Sequence, residues 1–237
     1  MLMRLILCFT LFGVMSCNSS VHNSGPTKQV CALQDAASLI LSGLSPDEVN
    51  LEKLKTGELT HQPGRIIDVL EIADRLSREK IGYRTDSRKH PLTRQEINDP
   101  PEALSCTEFV WLVYSRSGVD LGNFHIETKE MAYDNGVYAP WLVKLKPLEA
   151  IQPGDILVYE YPDETLIRQE EETGRHHSGH AVLVVSVLQK IVIGSHGFES
   201  TPRGSVTGVG YRRMLASWHN WTAGRTLQAI YRFAHAE

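Results

Sequence analysis

The sequence predicts an α+β fold with N-terminal helices packed on a mostly antiparallel β-sheet. Three observations carry that expectation. Ile66, Ile67, Val69, Leu70, Ala73 and Leu76 form an apolar stripe at helical spacing, with Arg65, Asp68, Glu71, Asp74 and Arg75 outside. A second apolar helix is marked from Cys106 by the Ser105-x-x-Glu108 capping pattern. The last third holds short β-type runs at Ile156 to Tyr161, His180 to Leu188, Ile191 to His196 and Ala229 to Phe233. Helices first and strands last argue α+β rather than alternating βα units. With 237 residues, 42% of them hydrophobic, the chain can bury one full core. Its net charge of −4 does not suggest a basic nucleic-acid surface. There is no Gly-rich phosphate loop, no Cys-x-x-Cys pair and no internal repeat.

Residues 1–17 read as a targeting segment. Arg4 supplies a positive start, and Leu5 to Val14 is an apolar run too short to span a bilayer as a stable helix. The run ends at Cys17, and the segment resembles a bacterial lipoprotein signal, which implies a lipid on Cys17 and a membrane anchor. The alternative is an ordinary secretory signal cut nearby; both readings export the chain to the cell envelope or beyond. Cys8 leaves with the signal, so Cys31 and Cys106 remain, and in an oxidising compartment they are able to pair.

Residues 18–63 read as a tether and an N-terminal arm. The tether is rich in Ser, Asn, Gly and Pro to about residue 30. Cys31 to Leu44 carries Leu33, Ala36, Ala37, Ile40 and Leu41 at helical spacing, and residues 46 to 64 form a polar connecting arm. Residues 64–237 form the main domain. Its amphipathic helix ends near Gly82, Tyr83 follows at once, and Pro100-Pro101 precede the helix that begins at Cys106. Met131 to Pro140 reads as irregular. Pro153-Gly154 is a tight-turn signal that launches the first strand. Residues 162 to 178 are charged and read as an insertion loop, and residues 205 to 228 are ambiguous.

The chemistry centres on Cys106. As the first helical residue it sits at the positive end of the helix dipole, where free backbone N–H groups favour a thiolate. The bland alternative is a small apolar residue filling core space. His180 opens one strand and His196 closes the next. A hairpin around Gln189-Lys190 puts position 196 beside 182 to 183, within about one residue pair of His180, ~5–8 Å. Parity stays open, since a one-residue slip sends His196 to the other face. If the rings converge, Cys106 is the nucleophile, His180 its base, and His196 the group that orients the base.

Five segments, in order, resemble the NlpC family of bacterial cell-wall cysteine peptidases. They are Gly82-Tyr83, Cys106-Thr-Glu-Phe-Val-Trp-Leu-Val-Tyr, Ile151-Gln-Pro-Gly-Asp-Ile-Leu-Val-Tyr, Gly179-His-Ala-Val-Leu-Val-Val and Ile193-Gly-Ser-His196. The resemblance covers about residues 64 to 235. It implies a papain-like core and hydrolysis of amide bonds in peptidoglycan stem peptides through Cys106, His180 and His196. Tyr83 then lies beside the oxyanion or substrate position, and neither metal nor organic cofactor is needed. Here Ser105 stands where the family has aspartate before the cysteine, and Thr107-Glu108 replaces its small Ser-Gly pair. Glu108 raises the thiol pKa unless its capping role turns it away.

Two rivals remain. One is a catalytically inactive relative, a lipoprotein that binds wall fragments or a protein partner through the same cleft. The other is a metal site at His176, His177 and His180 near Glu170 to Glu172, whose spacing lacks the helical pattern of zinc peptidases. Trp111, Trp141, Trp218 and Trp221 fit either a glycan cleft or ordinary core and rim packing.

Overall fold

A computed structural model describes residues 41–84, 92–119, 127–133, 142–147, 149–172, 179–201, 204–215, 217–221 and 224–234. The expectations placed on Cys17, Cys31, Trp141 and the His176-His177 pair lie outside them. The described chain mixes helices with an antiparallel sheet. Seven strands run in the order β1-β8-β7-β6-β5-β9-β4, every neighbouring pair antiparallel. They are β1 (Leu41–Leu44), β4 (Leu142–Leu145), β5 (Ile156–Glu160), β6 (His180–Ser186), β7 (Ile191–Thr201), β8 (Gly204–Met214) and β9 (Thr226–Phe233). Two short strands, β2 (Gly82–Tyr83) and β3 (Ala103–Leu104), pair in parallel beside them.

The amphipathic stripe becomes α2 (Gly64–Arg78), and the capped helix becomes α4 (Cys106–Arg116). Both lie on one face of the sheet. Val69 and Leu70 of α2 and Phe109, Val110 and Val113 of α4 share a core with Val158, Ala181, Leu183, Ile193 and Tyr211. The opposite face carries a smaller core of Leu157, Tyr159, Val182, Val184, Val192 and Ile230, closed by Met214 and Trp221. Burial on both faces explains why β5 and β6 read as continuous apolar runs.

Turn chemistry places the strands. Gly154 adopts φ +85, which a side chain rarely tolerates, and any Cβ there would also strike Ile66 of α2. Asp155 is 1% exposed and accepts from Gln152 N–H at 2.8 Å and from Arg232 at 2.7 and 2.8 Å. That carboxylate ties the turn to β9. Gly118, at φ +82, ends α4.

Three expectations need correction, and the structure of the connecting arm, which the sequence leaves open, is settled. Leu41–Leu44 is a strand on the edge of β8, not the end of a helix. Gly43 favours helix poorly, and the edge of β8 offers backbone partners instead. The connecting arm is built into the fold: α1 (Leu51–Lys55) and the turn after it bury Leu51, Leu54 and Leu59. Within residues 162 to 178, Glu164–Glu172 forms helix α6, begun by Asp163, whose carboxylate accepts from Thr165 N–H at 2.8 Å. Ile167 turns inward, and the Glu and Arg around it are good helix formers. Thr128–Tyr133 forms helix α5, with Met131 and Ala132 buried, where irregular chain was expected from Met131. A short helix α3 (Arg94–Asn98) completes the α-helices among the described residues.

Candidate active site

Strands β6 and β7 are laddered only from Leu183↔Ile193 towards their turn. Before Leu183, β6 parts from β7, while β7 continues beside β8 through Ser195↔Val209 and His196↔Gly208. The N-terminus of α4 is fastened at this split. Ser195 Oγ donates to Leu104 O at 2.6 Å, tying β7 to the residue just before the helix cap. On the β6 side, Cys106 Sγ approaches Gly179 O at 4.0 Å and takes a hydrogen bond from Ala181 N–H.

Local sequence explains the placement of the thiol. Ser105 is the N-cap; its Oγ accepts from Glu108 N–H at 3.3 Å, and Glu108 Oε2 accepts from Ser105 N–H at 2.7 Å. That leaves the N–H groups of Cys106 and Thr107 for the sulfur. Glu108 does not add its charge to the thiol. Arg84 grips it in a fork, with Nε to Oε2 at 2.9 Å and Nη2 to Oε1. Burial pushes the Cys106 thiol up to about 11, against the three backbone N–H groups that pull it down; Glu160 adds a further upward push. The sulfur is a free thiol and Cys106 is 6% exposed.

His180 Nε2 and His196 Nδ1 lie 3.0 Å apart, and His196 Nε2 lies 3.0 Å from Gly210 O. The carbonyl can only accept, so His196 Nε2 carries the proton and its Nδ1 is bare. His180 Nε2 must then donate to it, which leaves His180 Nδ1 as an unprotonated base. Both rings stay neutral. Burial lowers His180 to about 3, with Arg225 and Arg212 adding to it; burial likewise holds His196 far below the usual imidazole range, helped by Arg212 and His180. Trp221 covers the pair, its ring 4.7 Å from His180 and 6.1 Å from His196, nearly parallel to the latter.

The rings meet because of a β-bulge. A simple hairpin about Gln189-Lys190 would set position 196 beside 182 to 183. The turn instead spans Val187 to Lys190 and sets Ser186 opposite Ile191, which alone would put 196 opposite 181; the register then shifts by one more between Val184 and Ser186, and Leu183 falls opposite Ile193. Continued along the chain, that register places 196 opposite 180, on one face. That face carries Tyr159, which pairs with His180, whereas α4 packs on the other. The thiol therefore touches the peptide groups on both sides of His180 at the split, and among the described residues no hydrogen bond joins Sγ to the ring.

Tyr83 stands beside this arrangement. A Cβ on Gly197 would come 3.3 Å from the Tyr83 ring, so the phenol lies against the residue after His196. Two residues escape a reading of the sequence, and so does the part played by a third. Glu160 is fully buried, accepts from Thr128 Oγ1 at 3.2 Å, and fills the space where a Gly179 side chain would go. A carboxylate closing an otherwise apolar strand was its only signal. Arg212, 1% exposed, lies on the histidine side. Trp221 is a lid over imidazoles, a role its sequence neighbourhood does not announce. Among the described residues no cluster of His, Cys, Asp and Glu is arranged to hold a metal. No family model, curated protein or solved structure matches this chain.

Proposed function

We propose that this chain is an exported, lipid-anchored cysteine peptidase of the NlpC type, with a papain-like core, that hydrolyses amide bonds in peptidoglycan stem peptides. One observation carries the reading: a histidine pair whose hydrogen bonds leave His180 Nδ1 as a bare base, with a thiol at a helix N-terminus held on the backbone to either side of His180. The five family-like segments supply the substrate class.

On this reading the Cys106 side chain swings from Ala181 N–H to His180 Nδ1 as substrate arrives. Nδ1 takes the thiol proton, and Sγ attacks the scissile carbonyl. The oxyanion is met by the Cys106 N–H, with Tyr83 alongside. The imidazolium returns its proton to the departing amine, leaving a thioester. His180 then takes a proton from water, the hydroxide attacks the thioester, and the thiol leaves reprotonated. His196 holds His180 in the required tautomer throughout.

The test is release of stem-peptide fragments from purified peptidoglycan by the parent chain and by Cys106→Ala. Release by the parent, lost in a variant with an unchanged unfolding midpoint, supports the mechanism. Equal release by both rejects it. A second reading is favoured by the raised thiol and its separation from the ring: an inactive relative that binds wall fragments. It requires no release by the parent, with retained binding to peptidoglycan in a pull-down.

A further inference from the structure

One end of the sheet carries two exposed leucines beside the point where β1 begins. Leu41 pairs with Met214, and Met214 N–H donates to Lys190 O at 2.8 Å, so the start of β1 lies next to the turn between β6 and β7. Leu215 follows Met214 there and is 50% exposed; Leu188, in the turn, is 84% exposed. Val143 and Leu166 are the other exposed large apolar side chains among the described residues. A lone exposed leucine needs no explanation, but two at one end of a sheet form a patch. The turn that presents Leu188 is held from inside. Glu58, just after α1, accepts from Ser186 Oγ at 2.6 Å, from Leu188 N–H at 3.4 Å and from Val187 N–H. Gln189 N–H donates to Ser186 Oγ at 3.0 Å. A turn pinned in this way keeps its leucine projecting.

We infer that this end of the sheet rests on a phospholipid bilayer, with Leu188 and Leu215 inserted at the level of the headgroups. The occupant follows from the chain that leads to the patch. Residues 18–40 separate β1 from Cys17 and the apolar run Leu5 to Val14. A flexible chain of that length reaches about 25–30 Å on average, less than the width of about 40 Å expected for a domain of this size. An anchor at Cys17 therefore keeps this end nearest the lipid, at high local concentration. Two leucines would not hold a protein on a membrane alone; beside an anchor they need only orient it. The inference rests on the anchored reading and adds an orientation to it. His180 opens β6 at its other end, about 20 Å from the turn. The thiol and the histidine pair are thus carried on the side away from the bilayer.

The test places the 15N-labelled full-length chain in phosphatidylcholine–phosphatidylglycerol nanodiscs that carry a gadolinium-chelating lipid, and reads amide relaxation by NMR. Broadening at Leu188, Gln189 and Leu215 should exceed that at His196 and Gly208, at the other end of the sheet. With Leu188→Ser and Leu215→Ser combined, that difference should be lost while the chain still co-elutes with the nanodiscs. Both side chains are exposed, so the unfolding midpoint should not move. Equal broadening at the two ends, or a difference that survives the double substitution, overturns the inference and leaves the anchor standing. Failure of the parent chain to co-elute overturns both. Concentration-dependent shifts at Leu188 and Leu215 without lipid assign the patch to a second copy of the chain and also overturn it. Stem-peptide release is a separate readout: its absence in a chain oriented as expected counts against the peptidase alone.

Discussion

His180 Nε2 donates to His196 Nδ1 across the split between β6 and β7, at 3.0 Å, and the Gly210 carbonyl polarises the pair from behind. This single contact sets the tautomer of the proposed base. It also predicts how the site should respond to substitution.

His196→Ala leaves the His180 N–H without its acceptor inside a buried site and frees the ring to rotate. Turnover of stem peptides should fall about 10²- to 10⁴-fold with little change in KM. His196→Asn or His196→Gln, which can still accept, should retain more of kcat than alanine. Steady-state kinetics on a defined stem peptide make the comparison.

The neutral imidazoles predict acid sensitivity. In the unfolded chain these histidines take up protons near their ordinary value of 6.5, while in the fold His180 does so only near 3 and His196 is also far depressed. The unfolded state thus binds more protons as pH falls below about 6.5, so stability should drop with acid. Urea midpoints at pH 7, 6 and 5 should decline, and the decline should flatten in His196→Gln.

At the alkaline end the thiol works the other way. Its ordinary value is 9.0, and in the fold it lies near 11. Between these the unfolded state loses a proton that the fold retains, so stability should fall from about pH 9 to pH 11. Iodoacetamide should label the free protein slowly at pH 7, with a rate still rising beyond pH 9. A plateau by pH 7 would mean a thiolate already formed.

Trp221→Ala removes the cover from both rings. The cavity should cost about 3–5 kcal/mol by chemical denaturation. Water admitted to the rings should bring both histidines back towards ordinary titration, followed by NMR of the ring nitrogens.

Arg84→Met tests the forked ion pair that holds the buried Glu108. It should destabilise the chain by about 1–3 kcal/mol, since one carboxylate stays buried while the arginine was partly exposed. Its charge would then act on Cys106, so alkylation at a fixed pH should slow further. Glu108→Gln in the same background should restore the rate.

Much of this was legible in the sequence because it is local. The stripe on α2, the Ser105–Glu108 box, the Gly154 turn and the apolar runs of β5 and β6 each follow from neighbours within a few residues. Those contacts survive whatever the rest of the chain does. Helix α6 and strand β1 were misread for the opposite reason. A charged segment folds as a helix that buries Ile167, and an apolar one becomes a strand once β8 offers it an edge.

The site itself divides along the same line. Residue types, and the helix tip that carries the thiol, were readable along the chain. Which face each side chain meets emerged from packing of distant segments. One extra residue between Val184 and Ser186 brings His196 opposite His180, and it does so on the face away from α4, with Cys106 wedged at the split between them. Side chains alternate between the two faces at every residue of a β-strand, so a one-residue bulge swaps the face, and no local pattern states where such a bulge falls. Burial, which pushes the thiol up and the imidazoles down, likewise exists only once the two cores have closed around them.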